Sequence, residues 1–334
     1  MISIFTLREH GSCKRYLFFA PLLVCSAIVA LPLSPAKDSS PAGRETQARI
    51  TATSNLVLIP VKVTNAQGAF VPGLEAQDFR VYEEGQLQKL SVFEKGDTPV
   101  TVGLVVDHSR SMGAKLRDVS AAVSTFVHLS NHQDEMFVVD FNDDVSIELM
   151  KGKAFSNDAK ELEEALTAVS ARGRTALYDA VSEGLNHLQF GHWDKKVLIL
   201  ITDGGDNASH LKYSQVLARA HQSQALIYSI ALIGSDSEEN PALLRRLCKD
   251  TGGLAYFPRT GESVASVSTE LARDLREQYT LGFVPLNMKD AHSFRRIEVK
   301  VVAATHGKLR VRTRLGYSPI PAKPLPAPSE SGPR

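Results

Sequence analysis

The chain has 334 residues, enough to bury a sizeable core and a length typical of about two domains. Its 38 Lys and Arg against 37 Asp and Glu leave a formal charge of +1. No block of like charge stands out, so nothing supports the basic face of a nucleic-acid binder. The 43% apolar and 22% charged residues are those of a globular protein.

Arg8, Lys14 and Arg15 precede an apolar run from Tyr16 to Leu33, and the small Ala36 follows. This pattern reads as a signal peptide over 1–36 and predicts an exported protein: secreted, periplasmic or held at the cell envelope. An uncleaved membrane anchor is the alternative, because a run of about 18 residues sits at the lower edge of a span. Pro21 and Pro32 weigh against a clean spanning helix. Cys13 and Cys25 fall in this segment, which leaves Cys248 to be read as a buried small hydrophobe on a helix.

Residues 37–53 are polar and rich in Ser, Pro, Ala and Gly, as in a flexible linker. Residues 54–97 switch to period two. Val57, Ile59, Val61 and Val63 share one face, opposite Leu56, Leu58, Pro60, Lys62 and Thr64. Phe79, Val81 and Tyr82 run into a Glu-Glu-Gly turn before Leu90, Val92 and Phe93. These are antiparallel strands.

Residues 98–278 read differently. Continuous apolar runs, "PVTVGLVVD", "KKVLILITDG" and "ALIYSIALIG", alternate with amphipathic helical stretches, the first predicted from Gly113 to Asn131. Strands buried on both faces and alternating with helices specify a doubly wound, mostly parallel α/β sheet. Residues 279–317 return to strands, and 318–334 form a Pro-, Ala- and Ser-rich tail expected to be disordered. Neither β segment alone buries a core comfortably. The predicted fold is therefore an α/β domain inserted between flanking antiparallel β segments that complete one small sandwich.

Open α/β sheets bind ligands at the carboxyl ends of their strands. There "VVDHSRSMG" offers Asp107, Ser109 and Ser111, "GRTALYDA" offers Thr175, and "TDGGDN" offers Asp203. Hydroxyls with carboxylates are hard oxygen ligands suited to Mg2+, with Mn2+ or Ca2+ as alternatives. No thiols or clustered histidines point to zinc, and His108 is expected to face away from Asp107 and Ser109. Each residue also has a plain reading: Ser109, Ser111 and Thr175 as helix caps, and Asp203 as a turn residue. Asp143 and Asp144 read as a hairpin turn and Asp179 as structural. Asp206 and Asn207 read as outer support or loop, and Trp193 as packing or a partner anchor. Asn207-Ala-Ser209 formally fits a glycan acceptor.

Taken together, Asp107-His-Ser109-Arg-Ser111, Thr175 and the "TDG" Asp203 resemble the metal-ion-dependent adhesion site of von Willebrand factor type A domains, over roughly Thr98 to Gln278. The flanks, "DFRVYEEG" before and "YTLGFVP" with "RTRLGY" after, are similar to a bacterial exported group carrying this domain. The resemblance implies direct ligation by Ser109, Ser111 and Thr175, with Asp107 and Asp203 acting largely through water. It implies an adhesion-type protein whose cation binds an acidic group, and a binding event coupled to the last helix. The expected partner is a protein or other ligand presenting a carboxylate. No nucleic acid is expected, and membrane contact only through an uncleaved N-terminus. A metal-free envelope scaffold and a metal-dependent hydrolase are the alternatives. The chain shows no serine elbow, HExxH or phosphate-cradling glycine loop, so no catalytic residues are assigned.

Overall fold

The computed structural model describes residues 56–149, 152–203, 205–232, 241–258, 263–286, 293–303 and 307–319. The predicted signal peptide, the linker and the tail beyond residue 319 lie outside the described residues. Four strands come first: β1 (Val57–Thr64), β2 (Phe79–Glu83), β3 (Gln86–Gln88) and β4 (Leu90–Lys95). Then follow β5 (Thr101–Asp107), α1 (Leu116–His128), β6 (Glu135–Phe141), β7 (Val145–Ile147), α2 (Ala159–Thr167), α3 (Leu177–Leu188) and β8 (Lys196–Thr202). The series continues with α4 (Tyr213–Ser223), β9 (Leu226–Ala231), α5 (Pro241–Thr251), β10 (Ala255–Tyr256) and α6 (Val264–Arg276). The chain closes with β11 (Tyr279–Phe283), β12 (Arg295–Val301), β13 (Arg310–Arg312) and β14 (Gly316–Tyr317).

The middle elements form a six-stranded sheet in the order β10-β9-β8-β5-β6-β7. All pairs are parallel except β6 with β7. Every residue of β5 is buried, because helices cover both faces. Val102, Leu104 and Val106 point to the side packed by α1, α2 and α6. Val105 points to the side packed by α3, α4 and α5, where Cys248 is buried as expected. The first helix starts at Leu116, not Gly113. A tight 3-10 turn over Arg110–Met112 precedes it, plugged by the fully buried Met112.

The two β segments build one sandwich. One sheet runs β13-β1-β11-β4 and the other β14-β12-β2-β3. Val57 pairs with Phe283 and Val81 with Val299, so each sheet joins chain from before and after the α/β domain. Val57, Ile59, Val61 and Val63 fill the space between the sheets, as their alternation predicts. Tyr279 crosses this core, donating its hydroxyl to the Val71 carbonyl at 2.7 Å and accepting from Leu74 N–H at 3.1 Å.

The opposite face of β1 meets the α/β domain. Its Lys62 reaches Glu277 at 2.8 Å and Asp274 of α6 at 3.4 Å. Asp274 also accepts from Arg312 of β13 at 2.7 Å and from the Tyr228 hydroxyl of β9 at 2.8 Å. Three elements thus converge on one carboxylate that is 8% exposed. Removing one member of a buried ionic group leaves the others uncompensated, typically at about 3–5 kcal/mol. Asp274→Ala is therefore expected to lower the unfolding free energy in urea by about 3 kcal/mol. Asp274→Asn, which keeps hydrogen-bonding capacity, should cost less. Equal midpoints for Asp274→Ala and wild type would refute the hub.

Candidate metal centre at the strand ends

β5 and β8 are neighbours in register, with Val106 opposite Ile201. The next residues, Asp107 and Thr202, therefore leave the sheet side by side. Asp107 is fully buried, and both of its oxygens are engaged. One accepts the Ser109 N–H at 2.8 Å and the other the Thr202 hydroxyl at 2.6 Å. Burial pushes its pKa up against these hydrogen bonds, and the nearby charge of Asp203 pushes the same way. Asp107 thus acts as an anchor that turns the loop after β5.

That turn exposes hydroxyls. Ser109 precedes the 3-10 turn but makes no side-chain cap, so the capping reading fails for it. Its Oγ lies 3.1 Å from Ser111 Oγ, and Ser111 donates to Asp203 Oδ1 at 3.0 Å. Ser109, Ser111 and Asp203 therefore form one contiguous row of oxygens from two loops. The other oxygen of Asp203 accepts from the Lys115 ammonium at 2.6 Å.

Thr175 comes from a third loop. It does not cap α3: that helix begins at Leu177, and its first N–H groups are met by another loop. Tyr178 N–H donates to Asp206 at 3.2 Å and to Ser209 Oγ at 3.0 Å. Asn207 accepts the Thr175 N–H at 2.8 Å and returns its own N–H to the Thr175 carbonyl at 3.0 Å. Thr175 is buried. The hydroxyl is not part of the Ser109–Ser111–Asp203 row. Its loop is tied to the Ser109 loop by Arg172 N–H to the His108 carbonyl, 2.9 Å, and Arg110 N–H to the Gly173 carbonyl, 3.3 Å.

Several supports were not apparent from the sequence. Asp143, expected only to make a turn, accepts Arg174 N–H at 3.0 Å and Arg174 Nε at 2.8 Å and so holds the Thr175 loop. Gly173 is required there. Its φ is +72°, and a Cβ would run into the Asp143 carboxylate. Asp179 gathers the other loop through the N–H groups of His210, 2.8 Å, and Leu211, 3.0 Å. In the formal glycan motif, Asn207 Oδ1 accepts from the Thr175 N–H and Ser209 Oγ from the first N–H groups of α3. Trp193 donates its indole N–H to the Gln133 carbonyl at 2.8 Å.

His108 does face away, towards Asp140 and the Leu166 carbonyl, the latter at 3.1 Å. A carboxylate at one ring nitrogen and a carbonyl at the other both favour N–H donors, and so favour the protonated ring. Burial opposes that charge, and the hydrogen bond and charge of Asp140 outweigh it, raising the His108 pKa above its usual value.

An open α/β module with hydroxyl and carboxylate groups at its strand ends defines a class of binding domain. The sequence profile of the von Willebrand factor type A domain matches residues 101–270, just over half of the chain, and the protein belongs to that family. Among solved structures it is similar to a von Willebrand factor type A protein from Catenulispora acidiphila, at 13% identity and TM-score 0.48, covering 73% of this chain and 74% of that one. It is also similar to the vWF domain of a type V pili tip protein from Porphyromonas gingivalis, at 13% identity and TM-score 0.42, covering 53% and 95%. A third likeness is to proximal thread matrix protein 1 from the mussel byssus, solved with a zinc-occupied MIDAS motif, at 17% identity and TM-score 0.44. It covers 57% of this chain and about half, 48%, of the mussel protein. No curated protein matches the sequence.

A raised folded-state pKa at His108 has a definite sign in stability. Its contribution is complete below the unfolded imidazole value and fades as pH rises through the folded value. Urea melts of the wild type are expected to weaken from mildly acidic to alkaline pH. His108→Gln should be less stable at acidic pH and lack that component of the slope. Parallel pH profiles for the two proteins would refute the raised His108 pKa.

Proposed function

We propose that this protein is an exported, adhesion-type binding protein in which Ser109, Ser111 and Thr175 hold a divalent cation directly while Asp107 and Asp203 support it through water. The observation that carries this reading is the row formed by the two serine hydroxyls and Asp203, with the buried Thr175 on a loop tied by backbone hydrogen bonds to the Ser109 loop. The donors suit the cation: all are hard oxygens, and the one nearby imidazole is turned away to Asp140. Mg2+ fits best, with Mn2+ or Ca2+ as alternatives. Among the described residues no group of three His, Cys, Asp or Glu side chains is placed for a metal.

A cation held mostly by neutral hydroxyls keeps its positive charge for a carboxylate of a partner. This chain's residues supply the shape. Asp107 fixes the first loop, Asn207 the second, and Arg174 with Asp143 closes the third. Both acids are already engaged, Asp107 by Ser109 and Thr202 and Asp203 by Ser111 and Lys115. Neither stands free as a base, which favours binding over hydrolysis. Export rests on the N-terminal pattern. Among the described residues no helix is long and apolar enough to cross a membrane.

A route to the sandwich exists. The Ser109–Ser111 turn leads into α1, α1 packs on α6, and α6 carries the Asp274 hub. Partner binding is proposed to shift that hub.

Calorimetry of the chelator-stripped protein is expected to show saturable Mg2+ and Mn2+ binding. Asp107→Ala, which frees the first loop, should weaken it by about 10–100-fold. Equal heats for both proteins would favour the metal-free scaffold. Hydrogen exchange in β11 and β13 is expected to change when Mn2+ and an acidic partner are added together. An unaltered pattern would break the proposed route.

A further inference from the structure

Lys115 is oddly placed for a surface lysine. It immediately precedes α1, where the helix dipole disfavours a cation. Its side chain is 30% exposed, yet its ammonium points inward, 2.6 Å from Asp203 and 2.9 Å from the Leu232 carbonyl just past β9. Asp203 itself is 1% exposed at its side chain. With Ser111 on one oxygen and Lys115 on the other, Asp203 is satisfied wholly by its own chain.

Resting on the metal site proposed above, we propose that Lys115 is a tethered competitor of the divalent cation. Its ammonium neutralises Asp203 in the metal-free protein and must leave that carboxylate when a cation enters. Two positive charges close to one buried carboxylate repel strongly, because little water screens them. The lysine therefore holds the site together while empty and weakens cation affinity. Its departure also frees the Leu232 carbonyl, so occupancy is felt at the end of β9.

The test is calorimetric titration of the full chain with Mn2+, comparing wild type, Lys115→Met and Lys115→Arg. Lys115→Met is expected to bind about tenfold more tightly or better. Lys115→Arg, which keeps the charge, should stay within about threefold of wild type. Metal-free Lys115→Met should melt below wild type, with the gap closing at saturating Mn2+. Adding Ser111→Ala to Lys115→Met should erase the gain. In wild type, amine labelling of Lys115 read by mass spectrometry should rise when Mn2+ is added; this needs no variant to fold. Equal or weaker binding by Lys115→Met, or unchanged labelling, overturns the competitor role alone. If no variant binds Mn2+, the metal reading falls and takes this inference with it.

Discussion

Asp107 is buried at the end of the central strand, and the structure can tolerate it only because both oxygens are met. The Ser109 N–H bends the chain back towards the carboxylate, while the Thr202 hydroxyl ties it to the neighbouring strand. An unpaired buried carboxylate is strongly penalised, so these two bonds dictate the direction of the loop. With that direction set, the two serines stand next to Asp203. A carboxylate commonly read as a ligand is here first a piece of architecture.

The other two loops are held by the same logic. Their backbone groups find partners in one another's side chains: Asn207 with Thr175, Asp206 and Ser209 with the start of α3, Asp143 with Arg174. These bonds cross-link the loops into one rim on the sheet. Where α6 meets the sandwich, Asp274 does the comparable task, with Glu277 beside it on Lys62. The molecule is thus joined by a few saturated carboxylates placed where elements meet.

Much of this was readable in the residues. Alternation in "VLIPVKV" assigned Val57, Ile59, Val61 and Val63 to a core, and unbroken apolar runs marked the covered strands. The five candidate ligands could be selected because strand ends bind ligands and oxygen types choose hard ions. What could not be read was long-range pairing of side chain with backbone. Thr175 looked like a cap because hydroxyls often cap, yet Asp206 and Ser209 perform that duty from 28 to 31 positions away. Lys115 gave one local signal, a cation where a helix begins, but its partner lies 88 positions further on. His108 showed its side by strand alternation, while Asp140, its reason for being there, belongs to another strand.

The divided sandwich has a consequence for how the chain acquires its shape. β1 pairs with β11 across more than two hundred residues, so its edges wait for partners made much later. During synthesis at about 5–20 residues per second that delay is on the order of ten to forty seconds. Unpaired strands are sticky templates for other chains. The intervening α/β domain, with its local strand-helix units, is positioned to fold first and bring the two ends together. A chain interrupted before Tyr279 would keep the complete six-stranded sheet yet leave β1 and β4 without β11 and β2 without β12, the form most prone to clump.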